Sequence, residues 1–492
     1  MIQTSLEEVK KIADSGDYRL IPVIREILSD VATPVQVMKK LKNVSDHCFL
    51  LESVEDNRQW GRYSFLGYNP SLELCSLGKE LYITDEKGNT TKVETQNPST
   101  YIRELIDKNK SPKLPGAPTF TGGLVGYFSY DYMQYAEPSL NFKASNENGF
   151  NDMDLMLFDS LICFDNLKQK ILLISNAGVS EGTLEEAYDK AVSKINEMED
   201  IILNGQMADI PKGKLLGEIT PTFTKEEYCQ KVMKTKEHIV EGDIFQLVLS
   251  NPMEAGFEGS LFDTYRILRT TNPSPYMFYF SGDTEIAGAS PETLVKVMDG
   301  EIRTFPLAGT RPRGETLEQD LALEKELLAD EKEKAEHNML VDLGRNDLGK
   351  LSEFGSVEVE KYMAIERYSH VMHIGSSVKG KLSSKYSAID AIDAVLPAGT
   401  LSGAPKIRAC QIIDELEGKK RGIYGGAIGY VDFTGNLDTC IAIRLAYKKN
   451  GKVFVRSGAG IVADSVPENE FTECINKAKA VVLAIKESCG QS

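Results

Sequence analysis

The stretch from Gly205 to Thr222 constrains the fold more than any other. It is rich in Gly, Pro and Lys, the composition of a connection between folded units. At 492 residues the chain is too long for one ordinary core, so length favours two units or one large elaborated one. The expected division is therefore 1–204, a connection at 205–222, and 223–492.

The first unit reads as a helix from Leu6 to Ala13, a strand from Arg19 to Val23, and a helix capped by Thr33 with Pro34 at its first position. Strands are expected at Cys48–Ser53 and Arg62–Gly67, with an alternating pair around the turn Glu86–Asn89. A helix begins near Pro98. Gly122, Gly123 and Gly126 lie in an aromatic run from Phe120 to Tyr135, where they would let backbone approach backbone. They fit no nucleotide fingerprint. Asp154–Ser175 reads as two strands joined at Asp165–Lys168, and Glu181–Leu203 as a long charged helix.

The second unit opens with Thr224-Lys-Glu-Glu227, a capping box that satisfies two free amides. The helix it starts runs to Glu241, a strand covers Ile244–Ser250, and Ser260 caps the next helix. Strands follow from Tyr276 through Phe305, then one long helical segment at 317–349, then strands over Val357–Gly380. Helices at Ala388–Leu396 and Ile407–Glu417, three strands within Gly425–Ala463 and a final helix from Pro467 complete a mixed α+β pattern without internal repeats.

The formal charge of −17 argues against nucleic acid as a partner, because phosphate binding needs a clustered basic surface. No run of 18 apolar residues occurs, and the first residues show no basic region followed by an apolar core, so the expectation is a cytoplasmic protein away from membranes. Eight scattered cysteines without a CxxC suggest neither a zinc framework nor disulfides.

Two acidic helices carry the chemistry. Glu333, Glu336, Leu340, Leu343 and Asp347 are spaced to form one helical stripe, with carboxylates continuing an apolar middle. Carboxylates one turn apart repel, so they call for a cation or for solvent. The final helix repeats the device with Glu470 and Glu473, followed by Lys477. If the two pairs face each other they supply the oxygen ligands that Mg²⁺ prefers; taken singly, each also reads as a solvated charged face. Glycine clusters at Leu307–Gly314, Ala398–Lys406 and Ser457–Gly460, interleaved with Arg311, Arg313, Lys406 and Arg444, favour an anionic substrate. His370 and His373 fall on an expected strand and so point to opposite faces, which demotes a zinc site.

Together, Pro306-Leu-Ala-Gly-Thr-Arg-Pro-Arg313, Glu336-His-Asn-Met-Leu-Val-Asp-Leu-Gly-Arg-Asn-Asp347, Gly399-Thr-Leu-Ser-Gly-Ala-Pro-Lys406, Tyr424-Gly-Gly-Ala427 and Gly458-Ala-Gly460 resemble the chorismate-utilising enzymes, and within them the anthranilate synthase component I branch. The agreement spans the second unit in order. It implies a two-layer antiparallel β-sandwich core enclosed by helices, with the N-terminal α+β unit packed against the chorismate-binding unit. It also implies Mg²⁺ held by Glu336 and Glu473, with Glu333 and Glu470 assisting. Chorismate would bind through Gly309, Thr310, Tyr424, Arg444, Gly458, Ala459 and Gly460. Ammonia would attack ring C2 as the C4 hydroxyl leaves, and loss of pyruvate would give anthranilate, a step of tryptophan biosynthesis.

Glu292 is the acid candidate, since hydroxide leaves poorly without a proton; His373 and Thr400 match positions near the ring, and His373 is assigned to pyruvate elimination. Relatives that form 4-amino-4-deoxychorismate often use lysine where this chain has Ala308. Water-adding relatives use a lysine base where it has Gln246. Leu50–Ser53 and Asn272–Met277 match the family's tryptophan-binding segments, with Ser53, Pro275, Tyr276 and Met277 as contacts. Nothing in the chain resembles a glutamine amidotransferase, so ammonia is expected from solution or from a separate glutaminase subunit, the resemblance favouring the subunit. The alternatives are the aminodeoxychorismate synthase branch and a non-catalytic tryptophan-sensing partner protein.

Overall fold

The computed structural model describes residues 4–53, 61–179, 182–368 and 371–491. They form two large sheets, of thirteen and twelve strands, with helices packed on the outer faces. In the first sheet, strands of the early chain, such as Leu20–Leu28 and Cys48–Glu52, continue into Tyr276–Ser281, Glu285–Ser290, Leu445–Lys449, Lys452–Ile461 and Gln246–Glu258. The join is antiparallel, with Glu52 opposite Met277. A second join, Gly126 opposite Gly429, carries Gly123–Phe128 onto Ala427–Asp432 in the other sheet. Both halves of the chain thus enter both sheets.

Period-2 alternation explains the layering. Phe49 points into an aromatic cluster between the sheets with Phe158, Phe278, Tyr430 and Phe454. Its neighbours Cys48 and Leu50 point outward, where residues of the helices Pro34–Leu41, Leu184–Asn204, Phe262–Thr271 and Pro467–Ser488 cover them. Helices Ser99–Lys108, Glu331–Gly349 and Ala388–Val395 add residues to the outer cluster of the second sheet. The α+β sandwich expected from the sequence is therefore the observed architecture. Gly123 and Gly126 do permit close approach: a Cβ at either would stand 2.1 Å from a carbonyl oxygen of the neighbouring strand.

Six boundaries differ from the sequence reading. Residues 153–178 form three strands, Met153–Phe158, Ser160–Asp165 and Lys170–Gly178, and the first two belong to different sheets. Both are buried at every position, so no alternation marks the break between them. Residues 427–461 form four strands, not three, because Leu437–Ile441 and Leu445–Lys449 are parted at Arg444, whose φ is +53°. The segment 317–349 is two helices, broken at Asp330, whose side chain accepts from the amides of Lys332 and Glu333. Ser260 lies one residue before the cap position, although its Oγ still accepts from Phe262 N at 3.1 Å. Within 205–222, Lys214–Leu215 and Thr220–Pro221 pair with Gln246–Glu258. The helix expected from Glu181 starts at Leu184, and Glu181 itself lies outside the described residues. No helix among the described residues is long and apolar enough to cross a membrane.

Candidate active site

The acidic helix Glu331–Gly349 packs on the strands Leu307–Pro312 and Val371–Lys381. Leu340 is buried and Leu343 half-buried. A Cβ on Gly399 would stand 2.2 Å from Leu343 Cδ2, so the helix rests on the turn Gly399–Leu401 and sets the position of Thr400. Asp347 ends the stripe in the core, where Lys406 reaches it at 2.7 Å and Lys350 at 3.1 Å. It is a packing residue.

Glu333 and Glu336 occupy the other end. Burial, then the charge of Glu336, push the Glu333 carboxyl up; Arg311, 3.8 Å away, offsets this in part. On the final helix, Glu470 is also pushed up, by burial first and by Glu473. Glu473 is half exposed and pairs with Lys477 at 2.7 Å. Lys332 of the acidic helix acts on Glu470, and Lys477 of the final helix acts on Glu292 and His373, so the two helices face one another across the site. Four oxygen-donor side chains, two of them held at raised pKa by burial and by a neighbouring carboxylate, suit a hard divalent ion such as Mg²⁺. They do not gather into one set with ligand atoms within 4.8 Å; the sets among the described residues that do lie elsewhere.

Beside these helices is a cavity of about 650 Å³ whose lining includes Tyr368, His373, Arg444, Glu473 and Lys477. Among the described residues Arg444 makes no ion pair within 4.0 Å, and burial pulls its guanidinium down while Glu292 counters. Burial pushes the Glu292 carboxyl up to about 7, against the pull of a hydrogen bond from Thr400 Oγ1 (3.1 Å) and of Arg444. Glu292 can therefore hold a proton near neutrality. His373 Nδ1 lies 2.8 Å from Gly309 O and 3.1 Å from Thr310 Oγ1. The carbonyl can only accept, so Nδ1 carries the proton and Nε2 keeps its lone pair. Burial lowers the pKa of His373, which favours this neutral form. Gly309 itself has φ +64°, and a Cβ there would meet Leu327 Cδ1 at 2.9 Å and Glu333 Oε2 at 3.1 Å; glycine is required on both counts.

The other cations singled out in the sequence are already engaged. Arg311 pairs with Glu326 and Asp330, Arg313 with Asp320, and Lys406 with Asp347. Arg444 is the one left to meet an anion. Gly458, Ala459 and Gly460 lie opposite Ser250, Leu249 and Val248. A Cβ on Gly460 would stand 3.0 Å from Gln246 Nε2, and that amide donates to Glu336 Oε1 at 3.3 Å. Small residues here give Gln246 room to reach the acidic helix. Tyr424 is buried, with the Arg421 guanidinium 6.0 Å from its ring centre.

The segments Leu50–Ser53 and Asn272–Met277 also meet. Glu52 pairs with Met277, so Ser53 follows alongside Tyr276, the first residue of the adjoining strand, with Pro275 just before it. Ser53 Oγ is buried without a hydrogen-bond partner, while Tyr276 Oη contacts Thr293 and Asp438 at 2.9 Å. His370 lies outside the described residues.

Sequence reasoning missed the buried cluster behind the glycine strand. Glu417 accepts from Arg421, from Arg456 and from Ser250, and Arg421 also donates to Leu401 O at 2.5 Å, one residue from Thr400. The i, i+4 spacing of Glu417 and Arg421 was the available signal; nothing local flagged Arg456.

Compared with known proteins, residues 47–483 match the family described as chorismate binding enzyme. Anthranilate synthase component 1 of Acetivibrio thermocellus is 47% identical over 496 residues, covering 99% of each chain. That of Aquifex aeolicus is 45% identical over 493 residues, covering 99% of this chain and 98% of the relative. The crystal structure of anthranilate synthase component I from Streptococcus pneumoniae TIGR4 superposes with TM-score 0.75 at 39% identity, covering 93% of this chain and 99% of that one. The menaquinone-specific isochorismate synthase MenF of Escherichia coli shares the fold, with TM-score 0.69 at 20% identity over 98% of this chain and 99% of that one.

Proposed function

The chain belongs to the chorismate-binding enzymes, and on that premise we propose that it converts chorismate and ammonia to anthranilate, pyruvate and water, as the names of its relatives indicate for them. The observation that carries this reading is Arg444, without an ion pair among the described residues, in the cavity wall, with Glu292, held beside Thr400 and able to keep a proton near pH 7, within its electrostatic reach.

Arg444 and the backbone around Gly309, Thr310 and Gly458–Gly460 receive the substrate's carboxylates. Ammonia forms a bond at ring C2 as the C4–O bond breaks, and Glu292 gives its proton to the departing hydroxyl so that water leaves. Thr400 holds the Glu292 carboxyl in place. Neutral His373 takes up a proton at Nε2 in the second step, in which the C2 hydrogen is lost, the enolpyruvyl C–O bond breaks and the ring becomes aromatic. Glu336 and Glu473, with Glu333 and Glu470, would hold Mg²⁺, which when bound neutralises substrate carboxylates.

Ala308 supplies no amine for the covalent chemistry of aminodeoxychorismate formation, which favours the anthranilate product. Ammonia would come from a glutamine amidotransferase subunit, the partner that the relatives' designation as component 1 implies. We further infer that tryptophan, seated against Ser53, Pro275, Tyr276 and Met277, inhibits by biasing the join between residues 1–204 and 223–492, the first acting as regulatory and partner-binding unit and the second as catalytic unit, in the cytoplasm.

The test supplies chorismate, Mg²⁺ and ammonium at alkaline pH and follows anthranilate fluorescence and pyruvate. Folded protein giving neither product overturns the proposal, and an amino-product without pyruvate replaces it with the aminodeoxychorismate reading. Adding tryptophan should lower the rate, and Ser53→Phe should weaken that inhibition.

A further inference from the structure

Among the described residues, two sets of three metal-type donors converge outside the catalytic cavity. One, His238, Glu241 and Asp243, is largely satisfied, since Asp243 pairs with Arg408 at 2.7 Å and with His238 at 2.8 Å. The other, Glu73, Cys75 and Asp154, is not.

Glu73 and Cys75 alternate onto one face of the strand Leu72–Leu77. Asp154 is the cross-strand partner of Cys75, and Tyr127 that of Asp154. Four functional side chains therefore stand on one sheet face, with the ligand atoms of the first three all within 4.8 Å of each other. His47, just before the strand Cys48–Glu52 of the other sheet, brings Nε2 to 3.8 Å from Glu73 Oε1, and this buried nitrogen has no hydrogen-bond partner. Tyr127 is 2% exposed, its Oη likewise has no partner, and Asp154 and Cys75 are the ionisable groups that act on it most strongly. Asp283 adds a further negative charge acting on Glu73, Cys75 and Asp154, and the charge of Lys449 opposes it at Asp154.

We propose that Glu73, Cys75 and Asp154, completed by His47, form a binding site for a zinc-class divalent cation, distinct from the catalytic carboxylates. One sulfur, one nitrogen and two oxygens make a donor set for a borderline-soft ion, whereas Mg²⁺ prefers oxygen alone. Ligand atoms around tetrahedral zinc stand roughly 3.3–3.8 Å apart, given bonds of about 2.0–2.3 Å. A contraction of about 1 Å among Glu73, Cys75 and Asp154, with the His47 ring moving in from Glu73 toward the other two, would seat the ion. Tyr127 Oη would then donate to the Asp154 carboxylate, as groups behind metal ligands commonly do. Such an ion would tie the strand Leu72–Leu77 to the segment that enters Cys48–Glu52, joining the two sheets at one end.

The full chain, stripped by chelator and then saturated with Mg²⁺ to occupy the catalytic carboxylates, is titrated with Co²⁺. The expected result is one equivalent bound with a thiolate-to-cobalt charge-transfer band that Zn²⁺ displaces. Cys75→Ser abolishes the band, and Asp154→Asn weakens binding by at least about tenfold. No band, the outcome if Glu73 and Asp154 simply share a proton, overturns the proposal, as does a band that survives Cys75→Ser. Unfolding midpoints check that the variants fold. On the unaltered chain, Zn²⁺ slows alkylation of Cys75, followed by peptide mass; an unchanged rate also overturns the site.

Discussion

Two charged regions lie within reach of the same strand, and they are built on opposite rules. In the buried cluster, both Glu417 oxygens accept from guanidinium groups, and Arg421 and Arg456 spend their remaining donors on Val248, Leu401, Lys420 and Ser250. In and around the cavity, Arg444 has no ion-pair partner among the described residues, Glu292 nearby receives a single described side-chain hydrogen bond, and two glutamate pairs repel. The first region has its partners built in and works as structure. The second leaves them to a ligand, so it is strained when alone and chemically available. Stability and activity should therefore respond to mutation in opposite senses.

The sharpest contrast comes from Glu292→Gln. Loss of the proton donor should lower kcat by about 10²–10⁴-fold in the fluorescence assay, while stability rises. The carboxyl is held near 7, above its ordinary 4.5, so folding favours its protonated form; as pH rises through 7 the wild type loses stability that the glutamine variant keeps. Chemical unfolding should favour the variant by up to ~3 kcal/mol above that pH, with no gain below the ordinary carboxylate range. Equal stability at pH 8 would break the comparison.

Glu417→Gln should do the reverse. It leaves two buried guanidinium groups uncompensated and should destabilise by about 3–5 kcal/mol in urea titration, with the KM of the folded fraction unchanged. Arg444→Ala should raise KM and cut kcat/KM about 10²-fold, the worth of a charge-assisted contact of ~2–3 kcal/mol, without lowering the unfolding midpoint. The smallest effect is on partition: His373→Ala should slow pyruvate release more than ring amination, read as accumulation of an aminated, non-fluorescent intermediate. Equal loss of both steps would remove the role of His373 in elimination.

The element types were legible wherever one face is wet or a cap is present. Thr33 with Gln36 and Thr224 with Glu227 form the capping boxes that their spacing announces. Alternation failed at Met153–Phe158 and Ser160–Asp165, buried on both faces. The glycine blocks and acidic pairs could be read because glycine and paired carboxylates have few reasons to occur together. The division of labour among the cations could not: Arg311, Arg313 and Arg444 look alike in sequence, and only the ion pairs of the first two with Glu326 and Asp320 separate structural charges from the one that waits. Arg456 was invisible for the same reason, its partner being 39 positions away.

The two seams, Cys48–Glu52 against Tyr276–Ser281 and Gly123–Phe128 against Ala427–Asp432, bear on how the chain comes off the ribosome. Until residue 432 has emerged, strands from the first quarter of the sequence must wait with bare edges, and such edges recruit other chains. Synthesis therefore passes through a long interval of vulnerability that ends only near the carboxyl terminus. A chain nicked between the halves after that point would stay together as one particle, whereas either half made alone would be expected to precipitate.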